Sequence, residues 1–269
     1  MTADDQVDMA RSQVFGEVAE AYDAARPGYA DQLVTDVLAY AAPGGRPVVE
    51  VGAGTGKATL AFAARGVRMV CLEPDERMAA VLRRNTAGHP GVAVRTGGFE
   101  DWRPGGRRFG LLLAATSWHW VDPARRWDLA HAALAPGGAL ALVWNPQGVR
   151  DPQVHAALAE SDRRLGITGA PHARRAWEFA DVPGDWPGWP EAECRRDGRF
   201  TDLRPVRYRQ EVHYDTDRYL TYLSTLSGYR VLPPALRSEV LAATARTLRR
   251  YGDALTMTLC TDVLLARAR

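Results

Sequence analysis

Lysine is almost missing from this sequence: Lys57 is the only one among 34 basic residues, and the rest are arginines. Basic and acidic residues nearly cancel, 34 against 32, for a net charge of +2. No basic arm breaks that balance, so the electrostatic footprint of a nucleic-acid binder is absent. Cysteine is scarce too. Cys71, Cys194 and Cys260 are odd in number, far apart and in no CxxC pair. That argues against a disulfide framework or a cysteine zinc site and suits a reducing cytoplasm. The six histidines lack metal-ligand spacing, so no metal is expected. No apolar run approaches the roughly eighteen residues of a membrane-spanning helix, so no membrane partner is expected. The opening MTADDQVDMARSQ is acidic and polar where a secretory signal would be basic and then apolar. What remains is ordinary globular composition. Its 269 residues, 46% hydrophobic and 25% charged, suffice for one large domain or a domain with a cap.

Two amphipathic stretches, 12–25 and 29–42, flank the breaker Arg26-Pro27-Gly28. From Pro47 the rhythm becomes short apolar runs alternating with helical stretches. Strands are expected at 48–51, 67–73, 92–95, 109–115 and 139–144, with helices at 58–65, 76–85 and 123–134. Such alternation means an α/β fold, a parallel sheet with helices on both faces. Beyond Asn145 the pattern loosens. A helix is expected at 151–166, an irregular Pro-, Gly- and Trp-rich segment at 182–190, and an alternating strand at 205–214. Helices at 217–231 and 235–251 and a closing strand ALTMTLCTDVLLARA complete the chain. The expected organisation is N-terminal helices and lid (1–45), a binding core (46–146), a helical or loop cap (147–199), and last strands with inserted cap helices (200–269). All four belong to one structural domain in this reading, which also allows a homodimer through the cap.

The informative segment is Val48-Val49-Glu50-Val51-Gly52-Ala53-Gly54-Thr55-Gly56-Lys57. A buried strand runs into three alternate glycines and then a helix. Glycine permits positive φ and removes the side chain, so a ligand can lie against backbone at a helix N-terminus. Glu73, 21 residues past Gly52, stands at the end of the second strand, where a carboxylate can accept from a ribose diol. A phosphate-binding loop of the GxxxxGK[ST] type does not fit, because Val51 replaces its first glycine and Ala58 its hydroxyl. The dinucleotide pattern GxGxxG is weakened by Lys57 at its third glycine.

EVGAGTG with Glu73 resembles instead the class I S-adenosylmethionine-dependent methyltransferases. GGFEDW (97–102), FGLLLAATSWHWVDP (109–123) and LAPGGALALVWN (134–145) are similar to the family's adenine-side loop, fourth strand and fifth strand. YDAARPGY (22–29) resembles the N-terminal lid of a bacterial small-molecule subgroup related to trans-aconitate methyltransferases. The resemblance implies a Rossmann-like, seven-stranded, mostly parallel sheet with a mainly helical cap or lid. The implied cofactor is S-adenosyl-L-methionine, with S-adenosyl-L-homocysteine as product. By the same resemblance, Gly52, Ala53, Gly54 and Gly56 face its methionine part. Glu50 holds that loop or the amino group, and Glu73 binds the ribose hydroxyls. Pro74 and Met78 flank the adenine, with Phe99 on its other side, and Ala115 and Thr116 lie near the sulfonium. Gly98 stands where many relatives carry an Asp for the adenine amino group. Either Glu100 or Asp101 substitutes, or backbone and packing hold the ring.

His119, in Ser117-Trp118-His119-Trp120, is the candidate general base, because it follows the fourth strand and the ordinary range of an imidazole suits proton transfer near neutrality. A packing role between two tryptophans is its alternative. Tyr22 could line the methyl site and Arg26 could meet a carboxylate, or Arg26-Pro27 could simply stop the helix. His213 reads as a cross-strand surface residue. Trp177, Trp186 and Trp189 could wall a flat substrate or only pack a lid. The expected function is methyl transfer to a small organic molecule by SN2 displacement, as in tailoring of a specialised metabolite. The Asn-Pro-Pro-aromatic motif of methyltransferases that modify base or glutamine amides is missing after the fourth strand. Two alternatives are a cofactor-binding protein on this fold that does not methylate and, more weakly, an NAD-linked oxidoreductase.

Overall fold

The computed structural model describes residues 15–179 and 190–269. Trp186, Trp189 and all of the acidic opening segment lie outside these. The chain divides into two compact units. The larger comprises Pro27–Trp144, Asp181–Tyr208 and Thr261–Arg269; the smaller comprises Met1–Arg26, Asn145–Ala180 and Arg209–Cys260.

In the larger unit the strands are β1 (Val48–Val51), β2 (Met69–Glu73), β3 (Val92–Thr96), β4 (Phe109–Ala115) and β5 (Leu134–Trp144). The C-terminal part of β8 (Ala254–Ala268) joins them, giving the order β3-β2-β1-β4-β5-β8. All pairs are parallel except β5 with β8. Successive strand residues face opposite sides, so each strand feeds two cores. Val49, Leu112, Leu140 and Leu142 pack with Trp118 and Trp127 on one face. Val48, Leu111, Leu113 and Ala141 pack with Leu33 and Phe62 on the other. This two-sided burial is why the strands read as continuous apolar runs. Helices α2 (Asp31–Ala41), α3 (Lys57–Ala63), α4 (Glu76–Asn85) and α5 (Arg126–Ala133) cover these faces, after α1 (Ala19–Ala25) in the smaller unit. β7 (Phe200–Asp215) pairs with β8, and on them the Arg207 guanidinium grips Asp262 at 2.5 and 2.7 Å, both side chains buried. Such a pair fixes register more than it stabilises, since both charges lose water.

The smaller unit is mainly helical: α1, α6 (Pro152–Leu165), α8 (Thr216–Ser224), α9 (Ser227–Arg230) and α10 (Pro234–Arg250), following α7 (Glu191–Asp197) of the larger unit. Its short strand β6 (Gln147–Val149) pairs antiparallel with Met257–Leu259 and is an eighth strand beyond the expected seven. The helix expected over 217–231 is broken into α8 and α9, Thr225 at the end of α8 turning its hydroxyl back to the Tyr222 carbonyl at 2.7 Å. A core of Leu158, Tyr214, Tyr219, Tyr222, Tyr229 and Leu248 fills it. Within it fully buried His172 bridges Asp162 (2.7 Å) and the Tyr219 hydroxyl (2.8 Å), satisfying a carboxylate that burial would otherwise penalise. No helix among the described residues is long and apolar enough to cross a membrane.

Candidate active site

The sheet order reverses between β1 and β4: from β1 the chain builds outward through β2 and β3, then returns to the opposite side of β1. At such a switch point the loops beyond the strand carboxyl ends diverge and leave a crevice for a ligand. The register marks where it opens. Pairing of β1 with β4 ends at Glu50 opposite Leu113, whereas β4 follows β5 on to Ala115 opposite Val143.

The glycine segment follows β1 at that carboxyl edge. Gly52, Gly54 and Gly56 have φ of +65°, +59° and +97°. At Gly52 a Cβ would stand 2.5 Å from the Ser117 Cβ, and at Gly56 one would stand 2.6 Å from Leu82 Cδ1. Gly54 meets only the Met78 methyl, at 3.6 Å, so its surface stays open for a ligand to approach the backbone. Two side chains brace the turn: Asn85 donates to the Thr55 carbonyl, and Thr59 donates to Glu50 at 2.6 Å. Glu50 is fully buried, and desolvation pushes its carboxyl up to about 7 against the Thr59 and Cys71 hydrogen bonds. In the structure its carboxylate is engaged by the Thr59 hydroxyl at the start of α3.

Glu73 ends β2 and faces the same turn. One carboxylate oxygen accepts the Gly54 N–H at 2.7 Å and the other accepts the Asp75 N–H at 3.0 Å. Burial raises its carboxyl to about 7, partly offset by those two N–H groups. Asp75 caps α4 by accepting from Arg77 N–H, which fixes the approach to Pro74 and buried Met78. Phe99 is buried and stacks on Trp102. Gly98 leaves 3.1 Å between its virtual Cβ and Glu100 Oε2, while Glu100 Oε1 accepts the Asp122 N–H at 2.9 Å. Asp101 is exposed.

Beyond β4, Thr116 adopts φ +60°, a costly conformation for a β-branched residue and of the kind that collects at functional sites. Its N–H donates to the Val143 carbonyl at 2.7 Å. Ser117, which the sequence reading passed over, donates its hydroxyl to the Val51 carbonyl. Its signal lay in the alternate glycines, since a glycine at position 52 announces a close neighbour. Trp118 is fully buried against Trp127, and His119 is exposed on the single turn Trp118–Trp120 beside the Trp120 ring.

The structure thus brings Glu50, Gly52, Ala53, Gly54, Gly56, Glu73, Pro74, Met78, Gly98, Phe99, Ala115, Thr116 and His119 into the larger unit, at or just past the carboxyl ends of β1 to β4. Tyr22 and Arg26 belong to the smaller unit. There Arg26 donates to the Thr225 hydroxyl and carbonyl, both at 3.1 Å, and lies over the Tyr22 and Tyr222 rings. His213 is exposed on β7 and pairs with the Thr256 hydroxyl. Trp177 is half exposed, edge-on to His155. Among the described residues no group of three or more His, Cys, Asp or Glu is placed to hold a metal ion.

The glycine turn, open at Gly54, thus faces the buried Glu73 carboxylate. Residues 48–138, which contain both features, match the family described as methyltransferase domain. That stretch of the chain is similar to a methyltransferase domain. An uncharacterised methyltransferase of Mycobacterium tuberculosis is 38% identical over 136 residues, covering 51% of this chain and 54% of the relative. The chain therefore matches about half the length of this curated relative. A protein from Anaeromyxobacter dehalogenans assigned as a type II methyltransferase shares the fold, with a TM-score of 0.61, 23% identity, and coverage of 90% of this chain and 97% of that one. A Haemonchus contortus phosphoethanolamine N-methyltransferase, solved with phosphomonomethylethanolamine and S-adenosylhomocysteine, aligns with a TM-score of 0.51 and 13% identity over 97% of this chain and 59% of that one.

Proposed function

We propose that the chain transfers a methyl group from S-adenosyl-L-methionine to a small organic molecule by SN2 displacement. The observation that carries this reading is the glycine turn of the methyltransferase domain, held open at Gly54 and hydrogen-bonded to Glu73. S-adenosylmethionine supplies an already electrophilic methyl on its sulfonium, so the protein's task is alignment and exclusion of water. In this reading Gly52, Ala53, Gly54 and Gly56 present backbone to the methionine part, and Glu73 accepts from the ribose hydroxyls. Pro74 and Met78 lie along one face of the adenine and Phe99 along the other, beside Gly98. Ala115 and Thr116 border the sulfonium. A small acceptor is supported by the even charge balance of the chain. The fold-level relative solved with phosphomonomethylethanolamine handles such a molecule.

Calorimetry with S-adenosylmethionine, S-adenosylhomocysteine and NAD tests the cofactor. Micromolar binding of the first two and none of NAD is expected, whereas binding of NAD alone would overturn the reading. Release of S-adenosylhomocysteine with a panel of small acceptors tests the reaction. A methyl acceptor found only among RNA or protein would overturn the substrate class.

His119 is the proposed general base for acceptors that arrive protonated. Its exposed imidazole follows the crevice-lining loop. Replacing His119 with Ala is expected to lower kcat about 10²-fold, the lower end of general-base contributions, with S-adenosylhomocysteine affinity unchanged. An unchanged kcat and pH profile would assign His119 to packing.

A further inference from the structure

We propose that Ser117 is a positioning residue that ties the glycine turn to the His119 turn, so that filling the cofactor cradle resets the acceptor side. The inference rests on the cofactor reading above and extends it to how the two sides of the site communicate.

The argument starts from the split between β1 and β4. Past Glu50 and Leu113 the two strands share no further ladder pairing, and β4 continues with β5 alone. The Val51 carbonyl faces this opening, and the Ser117 hydroxyl donates to it. That bond bridges the crevice from its two lips. Three features of the sequence make it reachable. Thr116 takes a left-handed conformation that turns the chain back toward β1. Gly52 offers the space that the Ser117 Cβ occupies. Trp118, fully buried next in sequence, anchors the turn that carries His119. Ser117 is itself buried, so neither partner finds water to replace the bond if it breaks. A shift of the Gly52 backbone on cofactor binding must therefore move Ser117, and with it the short turn Trp118–Trp120. Direct packing between Gly52 and Ser117 reinforces the hydrogen bond, so the coupling runs through contact in both senses.

The test uses the full chain, S-adenosylhomocysteine as probe, and two readouts: calorimetric affinity and the NMR resonances of the His119 imidazole. In the wild type, binding is expected to shift the His119 resonances. Ser117→Ala is expected to bind about tenfold more weakly, equivalent to one lost buried hydrogen bond, and to leave His119 unresponsive. Ser117→Thr, which keeps the hydroxyl, is expected to restore the response. Wild-type binding that leaves His119 unmoved overturns the coupling while the cofactor reading survives, and this holds even if Ser117→Ala does not fold. An alanine variant with wild-type affinity and response also overturns it. No binding by the wild type overturns the cofactor reading and, with it, the coupling.

Discussion

Replacing Glu73 with Gln is expected to weaken S-adenosylhomocysteine binding by about 10²-fold while leaving the ligand-free protein more stable. The carboxylate already accepts the Gly54 and Asp75 N–H groups, and the proposed ribose hydroxyls would donate to its remaining lone pairs. Hydrogen bonds to a charged group contribute roughly 1.5–3 kcal/mol each, so two amount to about 3–6 kcal/mol, or about 10²–10⁴ in affinity. Glutamine keeps one accepting oxygen and loses the charge, which places it at the lower end. Alanine belongs at the upper end.

The gain in stability follows from the pKa. Burial raises the Glu73 carboxyl from 4.5 to about 7. The folded state therefore binds this proton more tightly than the unfolded chain does. The contribution of the group to stability is greatest below pH 4.5, is lost as pH rises toward 7, and stays lost above it. At pH 8 the buried carboxylate costs the ligand-free fold on the order of 3 kcal/mol. Glutamine removes this cost but satisfies only one of the two N–H donors as an acceptor, so a net gain of about 1–2 kcal/mol is expected. Cofactor affinity should run the opposite way in pH, with a plateau above 7 and a loss approaching tenfold per unit below it. Glu50 titrates in the same range, also raised to about 7. The Glu73→Gln variant separates the two, because its affinity should lose most of the pH dependence. Calorimetry from pH 5.5 to 8.5 checks both signs, and equal slopes in wild type and variant would remove Glu73 from the cofactor site.

Gly52→Ala is expected to destabilise the fold by roughly 2–5 kcal/mol and to abolish measurable cofactor binding. Two costs combine. A residue with a Cβ at φ +65° costs about 1–2 kcal/mol, and overpacking against Ser117, 2.5 Å away, adds about 1–3 kcal/mol. Relief of that clash would push the turn or the Ser117 loop out of place. Gly54→Ala is the control. Its φ of +59° carries the same strain, yet the nearest atom to an added Cβ is the Met78 methyl at 3.6 Å. Gly54→Ala should therefore lose only that strain, about 1–2 kcal/mol. A thermal melt separates the two, with a fall in Tm on the order of 10 °C for Gly52→Ala and a much smaller one for Gly54→Ala. Equal losses would mean that backbone strain alone governs the turn.

The core of the larger unit was legible because its strands are buried on both faces. VVEV and FGLLLAA read as strands at 48–51 and 109–115, and these are their bounds in the structure. The helix at 76–85 was equally plain, with Asp75 as its cap. Boundaries slipped where capping and ladder pairing rather than hydrophobicity decide. The strand expected at 139–144 begins at Leu134, and the one expected at 205–214 spans Phe200–Asp215. β6 is three residues long, too short to carry a period. In the smaller unit, helix periodicity was visible, but the His172 bridge joins Asp162 to Tyr219, 57 positions apart, and the tyrosine-lined core joins Leu158 to Leu248. No local pattern encodes such pairs.

What the sequence alone determined is the glycine turn and the carboxylate opposite it. Positive φ at alternate positions demands glycine, and the length of a strand-helix-strand unit fixes where the next acid can stand. Only the tertiary structure decided that Glu73 already engages the turn through Gly54, that Glu50 serves the loop through Thr59, and that Ser117 closes the gap between β1 and β4. It also assigned Arg26 to Thr225, 199 positions away. The reason is physical. A backbone conformation is chosen by the residue that adopts it, whereas the partner of a buried polar group is chosen by whatever the fold brings within 3 Å.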